Sequence, residues 1–313
     1  MKLREEQKLY KEAQKLARQF VGQAGVTDIE FGLKHKKGKL TDEISLRFRV
    51  TEKKKEKKLK QSEILPKKVG KFATDVLLNQ TKIHQARNEN PRSLVQPLIG
   101  GVQIQSGLYG TSPNYWGTMG CYYRIQNYVF GFTNYHVLYG STDVPTVIRD
   151  YIGRLPISQN LNRVNNRIGI AANLFNPNLD YATFIIQAPL DQIQSINMIE
   201  GLLDSYAFPQ INMPLLKAGA KTGITFGIID GRSCLDCSEL SIHIDTRYPN
   251  NTGVISDYGD SGSVWVLNDS SSVPKPVALH YGGGETPQWA KAKSFSSIFA
   301  SIRNKINNQN SIV

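Results

Sequence analysis

The sequence predicts a mainly β protein, an all-β barrel or sandwich that ends in a helix and follows a small basic α/β unit. From residue 98 onward, short apolar segments with alternating polar positions recur between glycine, proline and asparagine residues. This alternating pattern is typical of strands in barrels and sandwiches. Before residue 98, helical periodicity and an excess of lysine and arginine dominate. The chain is therefore expected to contain two units with different roles.

The N-terminal third is predicted to form one helix and a few strands. In residues 3–20, Leu9, Ala13, Leu16 and Phe20 recur at helical spacing with charged residues between them, which indicates an amphipathic helix. The stretch "IEFGLKHKKGKLTDEISLRFRVTEK" alternates apolar and polar positions on both sides of "KKGK" and so predicts a hairpin with a glycine turn. "KFATDVLLN" predicts a further strand.

The excess of positive over negative charge lies entirely in this third of the chain. Residues 1–97 hold 24 lysines and arginines against 12 aspartates and glutamates, whereas residues 98–313 hold 14 of each. The segment "EKKKEKKLKQSE" is the densest run of charged residues in the sequence. It is most simply a solvated loop or helix face, and the alternative is a patch for an acidic partner or for nucleic acid through residues 53–60. No aromatic residue interrupts the run, which disfavours stacking on nucleic acid bases.

We expect residues 1–97 to be a leader domain that ends in the polar linker "HQARNENPRSLVQ", and residues 98–313 to be the second domain. In the tail, Phe295, Ile298 and Ile302 recur at helical spacing after Ser294, a suitable N-cap, so a C-terminal helix should close the domain. The predicted strands between these points lie in "GGVQIQSG", "GTMGCYYRI", "YVFGFTNYHVL", "RIGIAANLF", "DYATFII", "GITFGIID", "LSIHID", "GSVWVL" and "PVALHYGG".

Location and cofactors are predicted from what the sequence lacks. The N-terminus is charged throughout, and no segment approaches the roughly 18 apolar residues of a membrane helix. We therefore expect a cytoplasmic protein with no membrane span. Three cysteines, Cys121, Cys234 and Cys237, do not suit a secreted disulfide framework. "CLDC" has the spacing of half a zinc site, but no second pair follows, so a surface turn with reduced thiols is favoured and no metal is predicted.

The stretch "YGDSGSVWV" offers Ser261 as a nucleophile. A serine nucleophile requires a base to take its proton and an acid to orient that base. His136 in "FGFTNYHVLYG" follows an apolar strand where a loop begins, and Asp180 in "NPNLDYATFII" opens another apolar strand. Taken singly, His136 is better explained as a strand-end histidine and Asp180 as a strand-start cap, and a turn serine is the alternative for Ser261. Taken together, they predict a catalytic set.

The segments "TNYHV", "LDYA" and "GDSGS", in the order His136, Asp180, Ser261, resemble the chymotrypsin/trypsin-like serine peptidases. The resemblance covers about residues 98–300. "LLKAGAKTGITFGIID" is similar to a stretch of the intracellular bacterial members that lack a signal peptide. The resemblance implies a double β-barrel, with barrel one at about 98–190 and barrel two at about 191–295.

The same resemblance implies roles for individual residues. Ser261 would attack the scissile carbonyl, His136 would act as general base and then general acid, and Asp180 would orient the imidazole. The backbone N–H groups of Gly259 and Ser261 would form the oxyanion hole. This chemistry needs no cofactor.

A substrate pocket is also implied. In trypsin-like enzymes that prefer lysine or arginine, an acidic residue lies six positions before the nucleophile, and here that position is Ile255. "LHYGG", which contains His280, Tyr281 and Gly282, resembles the pocket strand of picornaviral and glutamate-specific proteases. With His280 and Ser256 as donors, we expect Glu, Gln or Asp at P1. The alternative for His280 is a core histidine.

"LIGGVQ" resembles the start of a mature trypsin. Cleavage after Leu98 would free an α-amino group at Ile99. By its position next to Ser261, Asp260 is the residue that would pair with this group. The alternative is an ordinary first barrel strand that needs no cleavage.

The sequence thus predicts a serine endopeptidase with a dedicated protein substrate, possible control by a regulatory partner or by the leader, and a place in a regulatory or defence pathway. The alternative is a latent or inactive protease fold that binds nucleic acid or an acidic partner through residues 1–97.

Overall fold

A computed structural model of the chain describes the following residues: 2–23, 25–36, 39–54, 56–79, 82–83, 100–109, 116–125, 127–140, 153–159, 166–187, 206–248, 253–269, 274–284 and 286–308. Across these ranges the strands form two sheets. No helix within them has both the length and the apolar character needed to cross a membrane.

The N-terminal unit contains the helix, hairpin and strand that the sequence predicts. Its elements are α1 (Leu3–Ala17), β1 (Val26–Lys36), β2 (Lys39–Val50), β3 (Lys68–Val69), β4 (Phe72–Leu78) and β5 (Lys82–Ile83). β1 and β2 pair antiparallel, and β4 pairs parallel to β2. Lys53, Lys54 and Lys60 of the charged run are exposed, as expected of a solvated segment. The hairpin's glycine turn and the linker after β5 lie outside the described residues.

The first barrel follows the N-terminal unit. Its elements are β6 (Val102–Ser106), β7 (Gly117–Met119), β8 (Cys121–Ile125), β9 (Tyr128–Thr133), α2 (Tyr135–Tyr139), β10 (Pro156–Ser158), β11 (Arg167–Asn176) and β12 (Tyr181–Ile186). The strand order is β7-β6-β10-β11-β12-β9-β8. β7 and β8 are two halves of one strand separated only by Gly120. Because the two ends of the sheet belong to this bent strand, the sheet closes on itself.

The second barrel is closed by direct pairing. Its elements are β13 (Pro214–Gly219), β14 (Gly223–Ser233), β15 (Glu239–Ile244), β16 (Val264–Leu267), β17 (Pro276–Gly283), β18 (Trp289–Ser294) and α3 (Phe295–Asn308). β13 pairs with both β14 and β16, which closes the ring β13-β16-β17-β18-β15-β14. The predicted mainly β fold, a double barrel with a C-terminal helix, is confirmed.

α3 joins the two barrels. It follows the last strand of barrel two, but its buried face packs on barrel one, where Phe299 contacts Tyr123 and Phe132 of β8 and β9. The Tyr123 and Phe299 rings meet edge to face with centroids 5.0 Å apart, a favourable aromatic geometry. The helix therefore shares one apolar cluster with residues of both barrels.

The N-terminal strands extend the sheet of barrel two. β1 pairs antiparallel with β14 in the register Glu30↔Ser233 and Gly32↔Gly231. A Cβ on Gly32 would lie 2.2 Å from the Asp230 carbonyl oxygen, so only glycine permits this approach. One eleven-stranded sheet results. The boundary at residue 97 falls outside the described residues, and the division into two domains stays a prediction.

A buried group of charges crosses this junction. The Arg47 guanidinium, fully buried, lies 2.5 Å from Glu30 and 2.9 Å from Asp230. Lys291 Nζ lies 2.8 Å from Glu30. Burial raises the pKa of Asp230, but Arg47 and His35 outweigh it and lower that pKa to about 2. The contacts of Arg47 with Asp230 and of Lys291 with Glu30 therefore cross the junction, and loss of either cation would leave a buried carboxylate without that partner.

Replacing Arg47 with methionine should destabilise the whole chain. Asp230 would stay buried without its guanidinium, whereas Glu30 would keep Arg49 and Lys291 as partners. The loss costs about 3–5 kcal/mol in urea unfolding. The loss should shrink as the pH falls from 7 toward 5, because uncompensated carboxylates have raised pKa values and become neutral by taking up protons.

The matched control is Lys34→Met, which removes a partly exposed partner of Glu43 and should change stability by less than about 1 kcal/mol. Equal effects of the two substitutions would contradict this role for Arg47.

Candidate active site

His136 and Asp180 form a bonded pair in barrel one. His136 lies in α2, directly after β9, and Asp180 directly precedes β12, the strand that pairs with β9. The His136 Nδ1 atom is 2.8 Å from Asp180 Oδ2, and the His136 backbone N–H donates to Asp180 Oδ1 at 3.1 Å. The carboxylate thus fixes both the ring, through Nδ1, and the backbone of His136.

The backbone of Asp180 is held in an unusual conformation. Its φ of +46° lies in the left-handed region, which few residues other than glycine adopt. Its carbonyl accepts hydrogen bonds from Asn134 Nδ2 at 2.8 Å and from the Tyr135 N–H at 3.2 Å. These bonds offset the strain and direct the carboxylate at His136.

Ser261 lies in a tight turn between the two barrels. Gly259 and Gly262 flank it with φ values of +104° and +94°. A Cβ on Gly259 would lie 2.3 Å from the Trp116 ring, and one on Gly262 would lie 2.1 Å from the Thr118 carbonyl oxygen. Both positions therefore require glycine for conformation and for space.

β7 brings the serine turn and the histidine together. The Thr118 N–H donates to the Ser261 carbonyl at 2.7 Å. A Cβ on Gly117 would lie 2.5 Å from a Val137 methyl group and 2.8 Å from the Ser261 carbonyl oxygen. Val137 is the neighbour of His136, so β7 lies against both the serine turn and the helix that contains His136.

Two N–H groups of the turn are available to an anion. Those of Gly259 and Ser261 donate no hydrogen bond to any other described residue. The Gly259 carbonyl is held by the Thr118 hydroxyl at 2.8 Å, and that hydroxyl in turn accepts the Ala220 N–H at 3.0 Å. The Asp260 N–H of the same peptide unit donates to the Asp257 carbonyl at 3.0 Å, so the peptide that lies between the two available N–H groups is held on both sides, and those groups can face a developing oxyanion.

Asp260 anchors the turn through a buried cation that the sequence analysis did not identify. Its carboxylate lies 2.9 Å from Lys217 Nζ, and both side chains are fully buried. It also accepts the Thr222 hydroxyl at 2.7 Å and the backbone N–H groups of Lys221, Thr222 and Asp257 at 3.0 Å. "LLKAGAKTG" was noted for its resemblance, but nothing in that pattern shows which residue the lysine faces.

The electrostatics favour the charged pair at this position. Burial raises the pKa of Asp260, but Lys217 and His280 outweigh it and hold that pKa below its usual range. Burial lowers the pKa of Lys217, and Asp260 opposes that effect. Asp260 therefore already has a cation, and no α-amino group at Ile99 is needed to supply one. Ile99 itself lies outside the described residues.

The predicted pocket residues lie around the end of β17. The Ser261 Oγ donates to the Tyr281 carbonyl at 3.0 Å. The His280 N–H donates to the Ser263 carbonyl at 2.8 Å, which ties the strand to the serine turn. The His280 ring is fully buried beside Trp265, with centroids 6.2 Å apart.

Ile255 and Ser256 complete the predicted pocket set. Ile255 is fully buried and presents no charge. The Ser256 hydroxyl is buried and has no hydrogen-bond partner among the described residues, so it is available to a polar ligand. Gly282 is buried within β17.

Comparison with known proteins gives matches to solved structures alone. No protein-family model matches the chain, and no curated protein matches it. A glutamic-acid-specific serine protease, described as using a novel histidine triad in substrate binding, is 14% identical with a TM-score of 0.41, over 65% of this chain and 97% of its own.

Two further solved structures are similar at the same level. Nocardiopsis protease is 14% identical with a TM-score of 0.40, over 66% of this chain and 96% of its own. Thermobifida fusca protease A is 15% identical with a TM-score of 0.40, over 64% of this chain and 94% of its own. Similarity at this level does not bear on activity or specificity.

Replacing Lys217 with methionine should impair any chemistry at Ser261. Asp260 would lose its buried cation, and the N–H groups of the turn would lose their alignment, an effect of about 10²-fold or more on turnover. Turnover of a peptide substrate and the melting temperature are measured together, with Lys71→Met as a control at an exposed lysine. Wild-type turnover by the Lys217 variant would show that this pair does not hold the turn.

Proposed function

We propose that the protein is a serine endopeptidase that acts through Ser261, His136 and Asp180. The observation that carries the proposal is that β7 contacts both the Ser261 turn, with its two available N–H groups, and α2, whose His136 is bonded to Asp180. These are the nucleophile, base, orienting acid and oxyanion donors that acyl transfer requires.

In the proposed reaction, the Ser261 hydroxyl turns from the Tyr281 carbonyl toward His136 Nε2. Its oxygen bonds to the substrate's carbonyl carbon while its proton passes to that nitrogen. The Gly259 and Ser261 N–H groups bind the oxyanion, and Asp180 stabilises the imidazolium. Collapse breaks the C–N bond, and the leaving amine takes the proton. A water molecule then attacks the acyl carbon while His136 takes its proton. The bond to the Ser261 oxygen breaks, the proton returns to that oxygen, and the carboxylic acid product is released.

For specificity we propose Glu, Gln or Asp at P1. Ile255 offers a lysine or arginine side chain no counter-charge, and burying an unpaired cation is costly. The Ser256 hydroxyl has an unused donor, and His280 lies next to the serine turn. Both suit a carboxylate or amide. The protein substrate itself, a cytoplasmic location and a regulatory or defence role remain part of this proposal.

Loss of individual catalytic groups tests the reaction. A fluorophosphonate should label the wild type on Ser261, and Ser261→Ala should abolish labelling. Asp180→Asn should keep the fold but slow labelling by a factor on the order of 10⁴, because the imidazole would be held in the wrong tautomer. The exposed Ser62→Ala is the control. Equal labelling of all four proteins would refute the mechanism.

Cleavage of a peptide library tests the pocket. Substrates with Glu, Gln or Asp at P1 should be cleaved best, and His280→Leu should reduce that preference over aliphatic P1 residues by about tenfold or more, since a polar P1 group would lose a donor. His243→Leu, which removes an imidazole from β15, serves as the control. An unchanged preference in the His280 variant would make His280 a core histidine.

A further inference from the structure

A short strand of the N-terminal unit pairs with the end of β17. β5 runs antiparallel to it, with Ile83 opposite Gly282 and Lys82 opposite Gly283. The same two glycines pair on their other side with Lys291 and Ala290 of β18. Because a strand has only two edges, β5 lies on the edge opposite β18, which is the edge that β16 follows.

That edge leads directly to the nucleophile. β16 pairs with β17 only as far as Val264↔Leu279. Beyond that pair, the serine turn bonds to the same edge of β17, since the Gly262 N–H donates to the His280 carbonyl at 2.9 Å. Next along β17 comes Tyr281, whose carbonyl accepts the Ser261 hydroxyl. The backbone of Gly282 and Gly283 would therefore be an open sheet edge beside Ser261 if β5 were absent.

The direction of β5 matches that of a chain approaching the serine. Going from Lys82 to Ile83, the chain moves from Gly283 toward Tyr281. A protein segment about to be cleaved must be extended there, and an open strand edge binds such a segment through its main chain. We propose that β5 occupies the substrate-binding edge of β17, so that the N-terminal unit is a built-in competitor that a protein substrate must displace. This inference rests on the proposed function.

The N-terminal unit is suited to such a role because it stays attached. Pairing of β1 with β14 and the buried contacts of Arg47 fix it to barrel two. β5 therefore competes at an effective concentration on the order of millimolar. A two-residue strand has little stability of its own, so a longer substrate segment can displace it without unfolding the rest.

The test has to leave the N-terminal unit in place. Removing residues 1–97 would also remove β1 and Arg47, which would leave the β14 edge unpaired and Asp230 without its guanidinium. Single prolines at Ile83 and at Lys82 act locally, because proline has no N–H to donate to a neighbouring strand. Both are made, since only alternate residues direct their N–H at one neighbour. Ile83→Val keeps the backbone N–H and strand propensity and is the matched control.

We expect at least one proline variant to lower KM for a peptide of eight or more residues by about tenfold, with kcat unchanged. This is the result when a competitor fills about nine-tenths of the sites. Ile83→Val should match the wild type. Fluorophosphonate labelling of Ser261 should be the same in all four proteins, because this small probe does not need the strand edge.

The outcomes separate the two proposals. If Ser261 is labelled normally and neither proline lowers KM, the competitor role of β5 is overturned and the proposed function stands. If no variant is labelled and none cleaves peptide, the proposed function itself fails. A lower KM in Ile83→Val as well would also overturn the proposal, because that variant keeps its backbone pairing.

Discussion

The buried pair of Asp260 and Lys217 is the interaction on which the candidate site depends. The carboxylate accepts bonds from the Lys217 ammonium, the Thr222 hydroxyl and backbone N–H groups on both sides. It fixes the turn between Gly259 and Gly262, and hence the direction of two N–H groups and of the Ser261 side chain. A neutral residue at either position would leave one ion buried without its partner. The geometry of the turn therefore follows from charge pairing within the folded chain.

The N-terminal unit contributes strands to the sheet that contains the candidate site. Its β1 strand continues the sheet of barrel two, and its Arg47 is the guanidinium partner of Asp230 in that barrel. The unit also reaches the candidate site within this sheet, where β5 pairs with β17. A segment that belongs to the N-terminal unit thus also lies at the β17 edge beside Ser261. Stability and control of access would then be properties of one sheet.

Much of the fold and the three proposed catalytic residues could be predicted from local sequence patterns. The other features depend on contacts between residues that are distant in the sequence. The strands of both barrels alternate in polarity, and the short motifs around His136, Asp180 and Ser261 are contiguous. β18 was not predicted because Lys291 and Lys293 make it look solvated, whereas both are buried against Glu30, Asp236 and Glu239. The partner of Asp260 lies 43 positions away. The pairing of β5 uses backbone alone and leaves no side-chain pattern to recognise.

The central claim is that Ser261 forms a covalent acyl intermediate. The most direct measurement is to quench the full chain in acid during turnover of a slowly hydrolysed peptide ester with glutamate at P1, and to map any adduct by tandem mass spectrometry. The account predicts a single acyl group on the Ser261 oxygen, absent from the Ser261→Ala protein. An adduct on another residue, or none while the ester is hydrolysed, would contradict it.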